Sequence, residues 1–251
     1  QLPQQPPPDP FPPRTTWHAI KSVPPLTAAD LELLKRWDTP TICNGLELVV
    51  PERRAVGFTV EPMVAANRSL PPIVGLARTG LIRAKEGPRG PIPPREDWYD
   101  YVAAAGLPTI AVIQDIDDRP GYGAFWGEVQ STVHLALGTV GCVTNGSFRD
   151  VDMLAPGFQI IGGRIGPSHA HVHLVQMGCQ ANVFGMLANH DDVIHADFHG
   201  AVVIPPEVAA QLPEAAELCG RRETPILEIA RSPDFSLERL KQALARSAEI
   251  H

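Results

Sequence analysis

Two short pairs of residues carry the chemistry of this chain: Gly127-Glu128, followed by Val129 and Gln130, and Arg149-Asp150, with twenty residues between the pairs. A glycine turn running into a helix leaves backbone N–H groups without intrahelical acceptors, and with the helix dipole they attract a carboxylate or phosphate. Arginine offers a planar cation to a substrate oxygen, and aspartate is a hard oxygen ligand for a divalent ion. Singly, each has an ordinary explanation: Glu128 suits the first turn of any helix, and an adjacent Arg-Asp pair is often a surface ion pair or a cap. A second group lies downstream, where PSHAHVH (Pro167 to His173) places His169, His171 and His173 on one face of an expected strand. Three alternating imidazoles suit a Zn²⁺ ion, the anionic arm of a substrate, or a polar strand face at a subunit contact. A zinc site would require them to converge with His195 or Asp197. Asp115, Asp117 and Asp118 read chiefly as loop caps, with supporting or neighbouring-subunit contacts as the alternative.

The elements that must position these residues follow from periodicity and punctuation. Thr27 is an N-cap for a helix through Leu31, Leu34 and Trp37, and Thr39-Pro40 opens a second short helix. Ile73 to Ala84 is apolar and broken by glycine, which predicts strand, bend and strand. The next segment, KEGPRGPIPP, is a loop, and a helix is expected over residues 95–105. Thr109 to Gln114 is a buried strand, residues 128–137 form the helix that Gly138 ends, and Val140 to Asn145 returns as a strand. That order predicts a parallel pair with a right-handed crossover, and the Arg-Asp pair follows its carboxyl end, where ligands of open α/β sheets collect. Beyond Asp150 the sequence is mostly short strands, and from Pro206 it is helical, expected to pack outside or to bridge subunits.

Composition sets the frame. The 251 residues carry 21 Lys and Arg against 28 Asp and Glu, a net charge of −7, with no basic run that would mark a nucleic-acid or membrane surface. The four cysteines, Cys43, Cys142, Cys179 and Cys219, form no CxxC pair and read as reduced packing residues. No apolar run reaches the length of a membrane span, and a soluble cytoplasmic protein is the expectation. A proline-rich arm over residues 1–26, a catalytic domain over residues 27–208 and a helical extension over residues 209–251 complete the organisation. The arm starts as QLPQQPPPDPFPPR, a polyproline-type sequence.

The Gly-Glu to Arg-Asp spacing, with HADFHGAVVIP (His195 to Pro205) downstream, resembles the RraA-like family over roughly Leu31 to Val208. That family contains the regulator of ribonuclease E activity and class II aldolases of 4-hydroxy-4-methyl-2-oxoglutarate and 4-carboxy-4-hydroxy-2-oxoadipate, which also decarboxylate oxaloacetate. The resemblance implies a swivelling β/β/α fold and a homotrimer, or a doubled trimer, with sites between subunits. It further implies Asp150 as anchor of a Mg²⁺ or Mn²⁺ ion held largely through water, and Arg149 as the clamp on the substrate oxygen. Gly127, Glu128, Val129 and Gln130 then form the substrate-binding turn, with Glu128 orienting a catalytic water. The expected activity is retro-aldol cleavage or decarboxylation of a 2-oxoacid. The absence of lysine from residues 126–150 disfavours a Schiff base. Two alternatives are a non-catalytic regulator, and another metal-assisted reaction such as dehydration or hydrolysis in a histidine-bearing pocket. The departure from the family lies in the histidines, above all His199, which stands where many relatives carry an acidic residue and, if it lines the pocket, would alter the preference for a second carboxylate.

Overall fold

The computed structural model describes residues 26–251, so all but the last residue of the expected proline-rich arm lies outside the described residues. Helix α1 (Ala28–Leu34) opens with a capping box: the Asp30 N–H donates to Thr27 Oγ1, and the Thr27 N–H donates back to the Asp30 carboxylate. Helix α2 (Thr39–Val49) is capped by Asp38, whose Oδ1 accepts from the Thr41 N–H at 2.9 Å. After strand β1 (Val64–Ala65) comes β2 (Ile73–Arg83), one unbroken strand where a bend was expected. Its glycines serve close approach: a Cβ on Gly75 would stand 2.8 Å from the carbonyl oxygen of Pro108 on the neighbouring chain segment.

Helix α3 (Arg95–Ala103) and strand β3 (Thr109–Asp115) follow, then β4 (Ala124–Trp126), α4 (Glu128–Ala136), β5 (Thr139–Thr144) and β6 (Ser147–Phe148). Strands β7 (Gln159–Gly162), β8 (Arg164–Ile165), β9 (His173–Met177), β10 (Ala181–Val183), β11 (Met186–Ala188), β12 (Val193–Asp197) and β13 (Gly200–Ile204) complete the β-rich half. Helices α5 (Leu212–Arg231) and α6 (Leu237–Ala248) end the chain, α5 packing on both α2 and α6.

The main sheet runs β1-β7-β5-β3-β2-β12-β13, parallel through β7, β5, β3 and β2 as the sequence predicts for β3 and β5, and antiparallel beyond. Strand β2 is long enough to serve two partners on one edge: Ile73 to Leu76 pair with β12, and Gly80 to Arg83 pair with β9. The sheet therefore curls into a half-barrel there, with the helices outside it, the mixed α/β fold that the sequence indicates. Its parallel strands are buried on both faces and read as continuous apolar runs, IAVI in β3 and GCV in β5. A smaller parallel sheet, β4-β6-β8, sits beyond the carboxyl ends of β3 and β5.

Candidate functional site

The small sheet brings the two sequence pairs together. The Arg149 N–H donates to the carbonyl oxygen of Trp126 at 3.0 Å, which holds the turn after β6 against the turn before α4. Helix α4 has an extended N-cap glycine, Gly127, and no cap from its own side chain. Asp150 fills that role from the neighbouring turn, its Oδ2 accepting from the Glu128 N–H at 3.2 Å. The Arg149 guanidinium lies 3.4 Å from the same oxygen, and both side chains are about one third exposed. A Cβ on residue 127 would stand 2.5 Å from Asp150 Oδ2, so only glycine allows the carboxylate this close.

Asp150 adopts the left-handed backbone conformation, φ 54° and ψ 40°. Aspartate tolerates this region better than most residues, and here it turns the carboxylate back over the helix start. Ser131 already donates its N–H to the Gly127 carbonyl. The first-turn amides of Val129 and Gln130 thus remain as the donors without an intrahelical acceptor, at the positive end of the dipole.

A cleft of about 490 Å³ opens over these groups, lined by Gly127, Val129, Gln130, Arg149 and Asp150. All three residues His169, His171 and His173 line it as well. They do so from a turn and not from one face of a strand: β9 begins only at His173, and Ala170 has φ 45°. The turn is pinned by the Ala124 N–H donating to the Ser168 carbonyl at 2.9 Å and the His171 N–H donating to the Ala84 carbonyl at 3.0 Å. Rings His169 and His173 each donate from Nδ1 to a backbone carbonyl, of Ala170 and His171 respectively, both at 2.7 Å. That leaves Nε2 of each as an acceptor in the neutral ring.

Arg95, the first residue of α3, also lines the cleft and escaped the sequence reading. The available signal was its place after the loop that leaves the carboxyl end of β2. Glu128 enters through its backbone alone: its side chain is exposed and is not part of the lining.

His199 lies elsewhere. In the β12–β2 register Ala196 faces Ile73, so His199 sits beyond the start of β2, whereas the cleft lies past the carboxyl ends of its parallel neighbours. The 11 residues of β2 separate the two ends by roughly 35 Å. His199 instead hydrogen-bonds Asp197, Nδ1 to Oδ1 at 3.0 Å.

His195 and Asp197 serve α2. Asp197 Oδ2 accepts from the Thr39 N–H at 2.8 Å, and Thr39 Oγ1 lies 3.0 Å from His195 Nδ1. His195 Nε2 faces the carbonyl oxygens of Leu34 and Trp37, which fixes the proton on Nε2, and burial pushes this imidazole below its ordinary pKa. The zinc convergence considered from the sequence therefore does not occur. Among the described residues no group of three or more His, Cys, Asp or Glu is arranged to hold a metal ion.

Two of the aspartates before the glycine turn are loop caps, as read: Asp115 accepts from the N–H groups of Asp117 and Gly121, and Asp117 from those of Ala84 and Lys85. Burial raises the Asp115 carboxyl above its ordinary pKa. The exposed Asp118 pairs instead with Lys85.

The RraA-like family, described as Aldolase/RraA, matches residues 39–203. Among solved structures, an uncharacterized protein from Pseudomonas syringae pv. tomato str. DC3000 superposes with a TM-score of 0.68 at 19% identity, covering 92% of this chain and 100% of that one. Streptomyces coelicolor RraAS2, an unusual member of the RNase ES inhibitor RraA protein family, gives 0.60 at 20% identity, covering 83% and 98%. At these identities the likeness is one of fold. No curated protein matches the chain.

Proposed function

Because the chain belongs to the RraA-like family, which includes both aldolase or decarboxylase enzymes and RNase E regulators, we propose from its cleft that it is a metal-dependent carbon–carbon lyase acting on a 2-oxoacid. The observation that carries this reading is the convergence of Arg149, Asp150 and the amino end of α4 on one oxygen-binding spot. The amides of Val129 and Gln130 hold the substrate carboxylate, and Arg149 holds the keto oxygen.

Asp150 is the residue that would hold a divalent cation. One carboxylate oxygen is engaged by the Glu128 N–H, and the side chain borders an open cleft. A single carboxylate suits a hard ion that keeps most of its water, Mg²⁺ or Mn²⁺, rather than zinc, which takes three or four protein ligands. When bound, such an ion supplies positive charge against the substrate oxygens as the carbon–carbon bond breaks. In the cleavage of a 4-hydroxy-2-oxoacid the C4 hydroxyl loses its proton and the C3–C4 bond breaks. The electron pair stays with the pyruvyl fragment, whose developing oxygen charge Arg149 stabilises, and C3 is then protonated to give pyruvate. The cleft imidazoles of His169, His171 and His173 are groups of suitable type to accept the hydroxyl proton, while the exposed Glu128 side chain lies outside the cleft lining and does not orient a water there.

The same reading makes the protein a homotrimer or a doubled trimer with its sites at subunit contacts. Val129, 69% exposed at the cleft, and Met153, 59% exposed on the turn after Asp150, are apolar side chains placed for such a contact.

The test is pyruvate release from oxaloacetate and from 4-hydroxy-2-oxoacids with Mg²⁺ or Mn²⁺, before and after chelation. Asp150→Asn keeps a side chain that caps α4 and accepts the left-handed turn, yet it removes the charge. It is expected to lower turnover on the order of 100-fold or more. Absence of pyruvate from the metal-loaded wild type would overturn the proposal, and equal turnover by Asp150→Asn would remove the metal anchor.

A further inference from the structure

A second cavity, about 500 Å³, adjoins the cleft, and the two share Pro88 and His173 as common wall residues. Its walls are the end of β2 and the loop that follows it, and their charges are of a different kind. In the first cleft Arg95, Arg149 and three imidazoles face a single carboxylate, Asp150, a balance that favours an anion. In the second, cations and anions are matched: Arg83 pairs with Asp117 at 3.4 Å, Lys85 with Asp118 at 3.2 Å, and Arg89 with Glu86. Matched pairs leave no excess of positive charge to attract a second carboxylate or a phosphate. They do present hydrogen-bond donors and acceptors side by side, which is what a hydroxyl group, donor and acceptor at once, requires.

We infer that the two cavities form one extended binding site whose outer lobe takes the hydroxyl-rich arm of a sugar-acid-like 2-oxoacid. This rests on the lyase reading for the reacting end and adds the class of substrate. The 2-oxo acid end lies at Arg149 and Asp150, and the chain passes His173 and Pro88. Its distal hydroxyls meet Lys85 and Asp118. The base of the outer lobe is rigid, because the buried Asp117 carboxylate accepts from the N–H groups of Ala84 and Lys85, each at 2.8 Å. Lys85 and Asp118 themselves are 46% and 75% exposed, so both can be changed without disturbing the core.

The experiment compares two substrates that differ only in the arm: 4-hydroxy-2-oxopentanoate, and a six-carbon 3-deoxy-2-oxo acid with hydroxyls at C4, C5 and C6. Wild type is expected to favour the longer acid by tenfold or more in kcat/KM. The Lys85→Ala, Asp118→Ala double variant is expected to bring that ratio close to one. No preference in the wild type, or a preference untouched in the double variant, overturns the inference.

Failure of the lyase reading has a separate signature, no turnover of either acid, and calorimetric titration then decides. Gluconate binding that exceeds lactate binding in the wild type, and loses that excess in the double variant, upholds the outer lobe. Equal binding of the two acids refutes it.

Discussion

The distance between a missing Cβ and one oxygen governs the candidate site. At Gly127 an added methyl group would meet Asp150 Oδ2 at 2.5 Å and the Arg149 side chain at 3.3 Å. Gly127→Ala must therefore push the Arg149-Asp150 turn away from α4, at an expected cost of about 1–3 kcal/mol in urea unfolding. Because the contact it breaks is the one Asp150→Ala removes, the two changes should be non-additive, with a coupling of roughly 0.5–3 kcal/mol in a double-mutant cycle. Strict additivity would show that the turn and the helix end are independent. Both pairs were legible in the sequence because their spacing resembles the family's, although each alone has an ordinary explanation, and the strand between them pointed to a shared end of the sheet. Arg95 was not legible as their companion, since an arginine opening a helix is ordinary until the loop before it is seen to return over the cleft.

Elements are tied to one another by buried imidazoles. His134 of α4 donates from Nδ1 to the Gln130 carbonyl at 2.7 Å and accepts from Trp98 Nε1 of α3 at 2.8 Å, so two helices share one neutral ring. Burial pushes its pKa from 6.5 down to about 4. Between those values the unfolded chain binds a proton that the native chain refuses. The contribution is therefore complete above pH 6.5 and is lost as pH falls toward 4, by roughly 3 kcal/mol. Denaturant unfolding at steps from pH 7.5 to 4.5 should show this slope, and His134→Gln, which keeps an acceptor for Trp98, should flatten it. An unchanged slope in the variant would assign the effect to His195 and the carboxylates. At this scale the helix starts at Thr27 and Thr39-Pro40 were readable from local chemistry alone, whereas the Asp38 cap of the second was not. The histidine run was not: HAHVH alternates like a strand, yet Ala170 enters the left-handed region and bends the chain, a choice made by the hydrogen bonds to Ala84 and Ala124. His199 misled for the converse reason, because nearness in sequence to the family signature says nothing about which end of β2 a residue occupies.

Over the whole molecule, the proposal of sites at subunit contacts predicts that light scattering will give three or six chains per particle. A Val129→Glu change beside the cleft should then shift the particle toward single chains and lower turnover together, whereas a monomeric wild type would refute the arrangement. Alternation of strand and helix made the parallel heart of the sheet readable, while the antiparallel flank was not, since β12 reaches β2 across more than a hundred residues of intervening chain. That long reach has a consequence for synthesis. Helix α2 finds the carboxylate that holds its first amide 158 residues later, in Asp197, and the first half of β2 gains its β12 neighbour from the same late segment. As the chain emerges from the ribosome, helix α2 therefore waits for these partners until β12 has been made, and this flank of the half-barrel is completed from the later strands backward onto α2 and β2.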